Sequence, residues 1–347
     1  MPRRTRRRDD EPLGVLYVDK PAGPTSAEVC DFLRWALRTR SVGHCGTLDP
    51  GATGLLVCCV GAATKLVPLL TDDDKTYRGR FVLGRSTTTA DAAGEVLTTA
   101  EVGADAWGRA LAVLEGLVGA HELSPPAFSA VRIDGERAHE KARRGEDVSL
   151  PVRTMTVFTV REVREVERGV AEATLRVSKG SFIRSLAVEW GRQLGLPAHL
   201  GALHRVGSGR CSLQDAKAVA GFDVSPMPPR PDGKPRHRIR VAGVGEDRQA
   251  QADHLSARLV EPAEVLGVPA LELSRDAHGE DLARRIGHGQ SVACDHPALD
   301  GVARQGSILL RAGAGRVLCR FEGEGDSAVL RISRTLRPLA FEGPRRP

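Results

Sequence analysis

The 347-residue chain is 41% hydrophobic, enough to fill ordinary cores, and its length predicts about two domains at roughly 100–200 residues each. Its 50 Lys+Arg against 44 Asp+Glu leave a formal charge of +6, too small an excess to establish a nucleic-acid partner by itself. From seven cysteines, an odd number without a Cys-x-x-Cys pair, neither a disulfide framework nor a zinc site follows. The basic start precedes no secretory apolar segment, and no apolar run approaches membrane-spanning length, so a reducing, cytoplasmic setting is expected.

Residues 1–12 read as a basic disordered arm carrying Arg3, Arg4, Arg6, Arg7 and Arg8. Gly14-Val15-Leu16-Tyr17-Val18 reads as a strand ending in the turn Asp19-Lys20-Pro21-Ala22-Gly23. Thr25 and Glu28 have capping-box spacing. The helix they open carries Val29, Phe32, Leu33 and Ala36 on one face. Next comes Gly43-His44-Cys45-Gly46-Thr47-Leu48-Asp49-Pro50-Gly51-Ala52-Thr53-Gly54, a glycine-rich loop with a single carboxylate. Pro50 pushes Asp49 toward extended geometry. Asp-Pro-Gly alone is an ordinary turn former. Leu55 to Val60 is an apolar run of strand length, and Ala62 to Leu70 reads as a short helix. Lys75 to Leu83 alternates apolar and basic residues, which predicts a half-buried strand; for a strand Tyr such as Tyr77, a core position is the commoner fate.

Ala106 to Leu117 is helical by period. Ser124 to Arg132, with Pro125 and Pro126, fits neither a regular helix nor a central strand. Gly135 to Val148 is densely charged. Val152–Val166 and Gly169–Val177 predict paired strands, and a helix from Leu186 to Leu194 ends at Gly195 and Pro197. Arg184 stands at that helix's amino end, where the dipole disfavours a cation; an acidic partner would explain the placement, with Asp49 the candidate, and a surface arginine is otherwise the better reading. Residues 222–256 hold five prolines and several arginines and read as a linker or exposed insertion. A globular pattern returns after it, with a helix over Asp281–Ile286 and three short strands over Gly306–Arg311, Arg316–Phe321 and Ala328–Ile332.

The Gly43–Gly54 stretch resembles the loop Gly-His-x-Gly-x-Leu-Asp-Pro-x-Ala-x-Gly of the tRNA pseudouridine synthase B family, which isomerises a uridine in the T arm of tRNA. Other segments are similar in order: Lys20-Pro21-Ala22-Gly23 to a Lys-Pro-x-Gly motif, Lys75-Thr76-Tyr77 to Lys-x-Tyr, and Leu83-Gly84 through Asp91 and Gly94 to a Leu-Gly…Thr…Asp-x-x-Gly segment. Further on, Lys179-Gly180-Ser181-Phe182-Ile183-Arg184-Ser185 is similar to Lys-Gly-x-Tyr-Ile-Arg-Ser/Thr. The resemblance runs from Leu13 to about Val219. It implies an α+β pseudouridine-synthase fold with a mixed, largely antiparallel central sheet, in a catalytic domain over 13–221. It also implies a thumb insertion at about 124–153, where Arg132, Arg137, Lys141, Arg143 and Arg144 would meet RNA. Residues 257–340 resemble a small C-terminal β-barrel RNA-binding (PUA-like) domain, and 341–347 form a tail.

The implied reaction breaks the uridine N1–C1′ bond, turns the flipped base and rejoins it through C5, at uridine 55 of tRNA. It needs neither metal nor cofactor. The resemblance makes Asp49 the essential carboxylate, attacking C1′ or removing the 2′ proton. It makes Arg184 its charge partner, Tyr77 and Phe182 the rings about the base, Leu203 a pocket wall, His44 an RNA contact, and Lys20 a support for the loop or a phosphate. The implied partner is the tRNA T stem-loop, bound by a monomer away from any membrane. Phe182 departs from the family Tyr by one hydroxyl; Phe128 and His139 also stand where tyrosines are usual. From the residues alone, three other readings stand: an RNA-binding or tRNA-folding module without required chemistry, a hydrolase with a second acid, and a thiol enzyme built on His44 and Cys45.

Overall fold

The computed structural model describes residues 11–128, 132–133, 136–138, 144, 146, 150–233, 235–303, 306–323 and 328–339. Most of the basic arm, His139, Lys141 and Arg143 of the expected thumb, and the tail lie outside the described residues. β1 (Gly14–Lys20) leads into α1 (Ser26–Leu37). The Thr25 hydroxyl accepts from the Glu28 N–H and the Glu28 carboxylate accepts from the Thr25 N–H, the reciprocal cap anticipated from spacing. β2 (Val42–His44) and β3 (Thr53–Val60) flank the Asp49 loop. A 3₁₀ turn over Gly61–Leu66, α2 (Val67–Thr71) and β4 (Lys75–Leu83) follow. β5 (Arg85–Thr87) and β6 (Val96–Thr99) make a hairpin before α3 (Ala104–Glu115) and β7 (Gly119–Leu123).

Two short paired strands, β8 (Arg132–Ile133) and β9 (Glu136–Arg137), precede the long hairpin of β10 (Arg153–Glu167) and β11 (Val170–Val177). Next are α4 (Ile183–Leu194), β12 (Ala198–Ser208) and β13 (Cys211–Ser212). α4 begins one turn earlier than the apolar period predicts. Phe182, extended at φ −112°, caps it, and the Leu186 N–H closes the first turn on the Phe182 carbonyl at 3.2 Å. Arg184 therefore lies inside the first turn.

Among the described residues a nine-stranded sheet runs β1-β3-β12-β4-β11-β10-β7, with β2 added to β3 and β13 to β12. Only the β3–β12 pair is parallel. This is the expected mixed, largely antiparallel sheet of an α+β domain. β3 explains its unbroken apolar run by being covered on both faces. Leu56, Cys58 and Val60 enter the core under α1 and α4, whereas Leu55, Val57 and Cys59 enter a second core on the opposite face. In the first core Trp190 of α4 is fully buried, meets Phe81 edge-on at 6.0 Å, and donates Nε1–H to the Ala110 carbonyl of α3 at 2.9 Å.

The structure differs from expectation over 222–256. β14 (Phe222–Met227) and β15 (Arg236–Val241) form a hairpin, and α5 (Arg248–Ser256) follows. Ile239 and Val241 are 2% and 3% exposed and Leu255 is 0% exposed, all within the core that α1 covers. Period-two alternation on β15 hides apolar residues between arginines, so composition alone reads as linker.

α6 (Pro262–Leu266), β16 (Ala270–Glu272), α7 (Ala277–Gly287), β17 (Val292–Ala293), β18 (Ser307–Ala312), β19 (Gly315–Glu322) and β20 (Val329–Arg337) follow among the described residues. Their sheet order is β16-β18-β19-β20-β17. Where a small β-barrel is expected, the described residues form an open, half-barrel five-stranded sheet; its end strands, of 3 and 2 residues, do not pair with each other among the described residues. It is tied to the first sheet: Val15 and Val260 exchange two backbone hydrogen bonds at 2.9 and 2.8 Å, and Leu309, Leu318 and Leu336 join the second core. Among the described residues no helix is long and apolar enough to cross a membrane.

Ile239→Ala is expected to destabilise the protein by about 2–5 kcal/mol in denaturant titration, the cost of emptying a packed core position. A linker side chain would stay within about 0.5 kcal/mol.

Candidate active site

The loop between β2 and β3 has its backbone pinned nearly residue by residue. The Cys45 N–H donates to the Val57 carbonyl at 2.9 Å, and Arg205 donates Nη2–H to the Gly46 carbonyl at 3.0 Å. Ser26 on α1 holds Leu48 twice: its Oγ accepts from the Leu48 N–H at 2.9 Å and donates to the Leu48 carbonyl at 3.1 Å. The Gly23 N–H donates to the Pro50 carbonyl at 2.9 Å. Lys20 is completely buried, and its Nζ donates to the carbonyls of Pro21, Pro50 and Ala52 at 3.0, 3.1 and 2.7 Å. Gly54 closes the loop at φ +97°; a Cβ there would lie 2.3 Å from the Arg205 carbonyl oxygen, so only glycine fits the close approach of β12.

Asp49 is the residue this scaffold leaves projecting. Its Oδ2 meets Arg184 Nη2 at 3.1 Å, with the Asp49 side chain 41% exposed and the Arg184 side chain 6%. The acidic partner anticipated for Arg184 is thus in place. Arg184 also donates to the carbonyls of Thr89 and Phe128, both at 3.0 Å, and lies 3.7 Å from Asp91 Oδ2. Burial pushes the Asp49 pKa up; Arg184 opposes that and Asp91 adds to it. Burial likewise lowers Lys20 to about 8, against the pull of Asp49.

Tyr77 is 9% exposed and sits in the main core, with the Arg205 guanidinium 5.9 Å from its ring centre. Leu203 is partly buried on β12 opposite Gly79, and Thr53 Oγ1 donates to its carbonyl at 3.4 Å. Phe182 is half-buried at the start of α4, its N–H turned toward Met155 Sδ at 3.4 Å. Tyr77 and Phe182 make no ring–ring contact among the described residues. His44 is half-buried with Nδ1 lacking a hydrogen-bond partner among the described residues; burial and then Arg205 hold its pKa down. The Cys45 thiol lies 3.6 Å from the Cys59 thiol on the core side, a placement that does not serve a His44–Cys45 nucleophile.

The TruB family pseudouridylate synthase N-terminal domain matches residues 34–183. The tRNA pseudouridine synthase B of Bacillus cereus (strain ATCC 10987 / NRS 248) is 45% identical over 208 residues, 58% of this chain and 68% of the relative. That of Shouchella clausii (strain KSM-K16) is 40% identical over 217 residues, 61% and 72%. The chain belongs to the TruB family of pseudouridine synthases. It is therefore an isomerase.

At 20% identity, a crystal structure of a Cbf5-Nop10-Gar1 complex aligns with 96% of the synthase and 88% of that chain, at a TM-score of 0.61. An archaeal box H/ACA Nop10-Cbf5 complex gives 0.58 at 18% identity, over 95% and 90%. These show the fold.

Three groups of the synthase's site escaped the sequence reading. Arg205 is 1% exposed and braces both Gly46 and Leu55, the latter carbonyl at 2.6 Å from Nε. In sequence it is a strand cation like its neighbours. Ser26 follows the cap Thr25 and has no signal of its own. Asp91 shows in sequence only as a matched acid; its place beside Arg184 depends on the turn before β6.

Lys20→Met is expected to lower stability by at least about 2 kcal/mol in denaturant titration, because three carbonyls lose their donor. A folded-state pKa of about 8, below the unfolded 10.5, means the unfolded chain binds more protons between those values. The wild type's advantage over Lys20→Met should therefore grow from pH 8 to 10.5, and a constant difference would contradict the buried ammonium.

Proposed function

We propose that this pseudouridine synthase acts on tRNA, isomerising uridine 55 of the T stem-loop, with Asp49 as the essential carboxylate. The observation that carries the reading is the Asp49–Arg184 contact at 3.1 Å on a loop whose backbone is otherwise pinned. The relatives named tRNA pseudouridine synthase B support the substrate. Arg184 orients Asp49 and favours its ionised form by a charge-assisted hydrogen bond. Asp49 then drives glycosidic cleavage while the base, flipped from its stack, is held for reattachment through C5.

Flipping costs a few kcal/mol of lost stacking, and an aromatic platform returns about 1–3 kcal/mol per base. Tyr77 and Phe182 supply that platform, with Leu203 beside it. His44 meets the RNA near the vacated stack. Lys20 acts as a strut under the loop: its ammonium is spent on three carbonyls and has no exposure left for a phosphate. The insertion at about 124–153, Arg132, Arg137 and Arg144 included, grips the T loop. The C-terminal sheet within 257–340 serves as a PUA-like RNA-binding unit. The protein works as a cytoplasmic monomer.

Purified protein should convert uridine 55 of an unmodified tRNA transcript, and Asp49→Asn should abolish conversion while tRNA affinity stays within a few-fold. Substantial turnover by Asp49→Asn would end the assignment. Because the Asp49 pKa is raised, the reactive carboxylate is lost as pH falls through that higher value. The single-turnover rate should therefore drop on the acid side at a pH above the ordinary Asp value of about 3.9.

Phe182→Tyr should change single-turnover rates little, since stacking persists, whereas Phe182→Leu should slow the reaction through lost stacking. A gain of about a hundredfold in Phe182→Tyr, roughly 2.7 kcal/mol, would show that a phenol moves the C5 proton.

A further inference from the structure

An open cavity of about 560 Å³ lies outside the Asp49 site, between α1 and the β14–β15 hairpin. Its cationic wall comprises Arg230, Arg236, Arg238 and Arg240; His237 and Trp35 of α1 also line it. The strand period puts Arg236, Arg238 and Arg240 on one face of β15. The Arg240 guanidinium lies 4.0 Å from the centre of the Trp35 ring, which fixes its orientation.

The cavity's own carboxylates do not balance these charges. Glu28 accepts from Thr25 and from the His237 N–H at 2.9 Å and His237 Nδ1 at 3.2 Å, so its lone pairs are occupied. Asp31 is engaged by Arg34 at 2.7 Å and is 3.9 Å from Arg230. Arg236, Arg238 and Arg240 form no ion pair among the described residues, and Arg240 Nε is buried there without a hydrogen-bond partner. Glu246 attracts Arg240 from beyond ion-pair distance. Three guanidinium groups share one strand face without an anion, one of them oriented by Trp35, and form a site suited to receive one.

We propose that this cavity binds phosphate groups of the RNA substrate's backbone, as a second anchoring surface beside the Asp49 site. The proposal rests on the reading that the substrate is a tRNA. Guanidinium forks match phosphate oxygens in pairs. The site is joined to the Asp49 loop: His237 packs against Gly23, 3.6 Å from where a Cβ would be, and the Gly23 N–H holds the Pro50 carbonyl. RNA seated at Asp49 therefore runs past a cationic wall fastened to the same turn. Arg236 and Arg238 are exposed, outside the core that holds the hairpin, so the charge can be removed without emptying packed volume.

The test is tRNA binding by the full chain across a salt series, with single-turnover pseudouridine formation at saturating protein. The Arg236→Gln/Arg238→Gln variant should lower the slope of log affinity against log salt by about 1.4–1.8, the effect of two lost phosphate contacts. Its saturated rate should equal that of the wild type. An Arg109→Gln/Arg161→Gln variant with the same net charge should leave the slope unchanged. The proposal is overturned if the cavity variant keeps the wild-type slope, or if the control lowers it equally. Calorimetry with inorganic phosphate separates the sources: loss of phosphate binding in the cavity variant, with the RNA slope intact, would make this a free-anion site and overturn the RNA assignment. If the wild type modifies tRNA and the slope is unmoved, this inference alone fails; if the wild type neither binds nor modifies tRNA, both readings fall.

Discussion

A carboxylate beside a buried guanidinium is the interaction on which the rest of the site depends. Arg184 is almost fully enclosed, and removing a cation from water costs several kcal/mol unless its hydrogens and charge are answered. Three segments answer them: Asp49, the Thr89 carbonyl with Asp91, and the Phe128 carbonyl, all gathered at the first turn of α4 that carries the arginine. The loop, the β5–β6 connection, the proline-rich stretch and α4 are thereby held around one point. The same pair sets the acidity of Asp49, because burial raises its pKa while Arg184 restrains the rise.

A single projecting acid is useful only if its backbone does not move. The loop could not hold itself, since its glycines make its backbone unusually free. Its rigidity comes from outside, through Lys20 on β1, Ser26 on α1 and Arg205 on β12. Each inserts a buried polar group and answers it with loop carbonyls or N–H groups, so the cost of burying these side chains becomes the means of fixing the loop. A displacement of about 1 Å in such a group costs about a hundredfold in rate, which is the scale on which this bracing matters.

The sheet behind the loop is buried from both sides at β1 and β3. One side is covered by α1 and α4, and the other by elements from the C-terminal half, whose Val260, Leu309 and Leu318 share a core with Tyr17, Leu55 and Val57. The loop therefore runs into a strand, β3, that has almost no solvent face. The C-terminal half contributes to the platform under the site as well as carrying its own open sheet.

Local chemistry was legible in the sequence wherever a short stretch carries its own physical reason. Thr25 and Glu28 announce their cap, and the alternation from Lys75 to Leu83 announces β4. The ordered motifs from Lys20 to Arg184 announced the family, and with it Asp49 as the candidate partner of Arg184, whose helix-start position alone also fits a surface arginine. Only the tertiary structure decided the rest. Burial turned Lys20 and Arg205, ordinary cations in sequence, into struts. It made a proline- and arginine-rich stretch into a packed hairpin and helix, because Ile239, Val241 and Leu255 find a partner surface on α1. It left the C-terminal strands as an open sheet, since closure depends on the lengths and pairing of end strands. Composition and period describe what a segment could bury, and only long-range contact decides whether a neighbour is there to bury it.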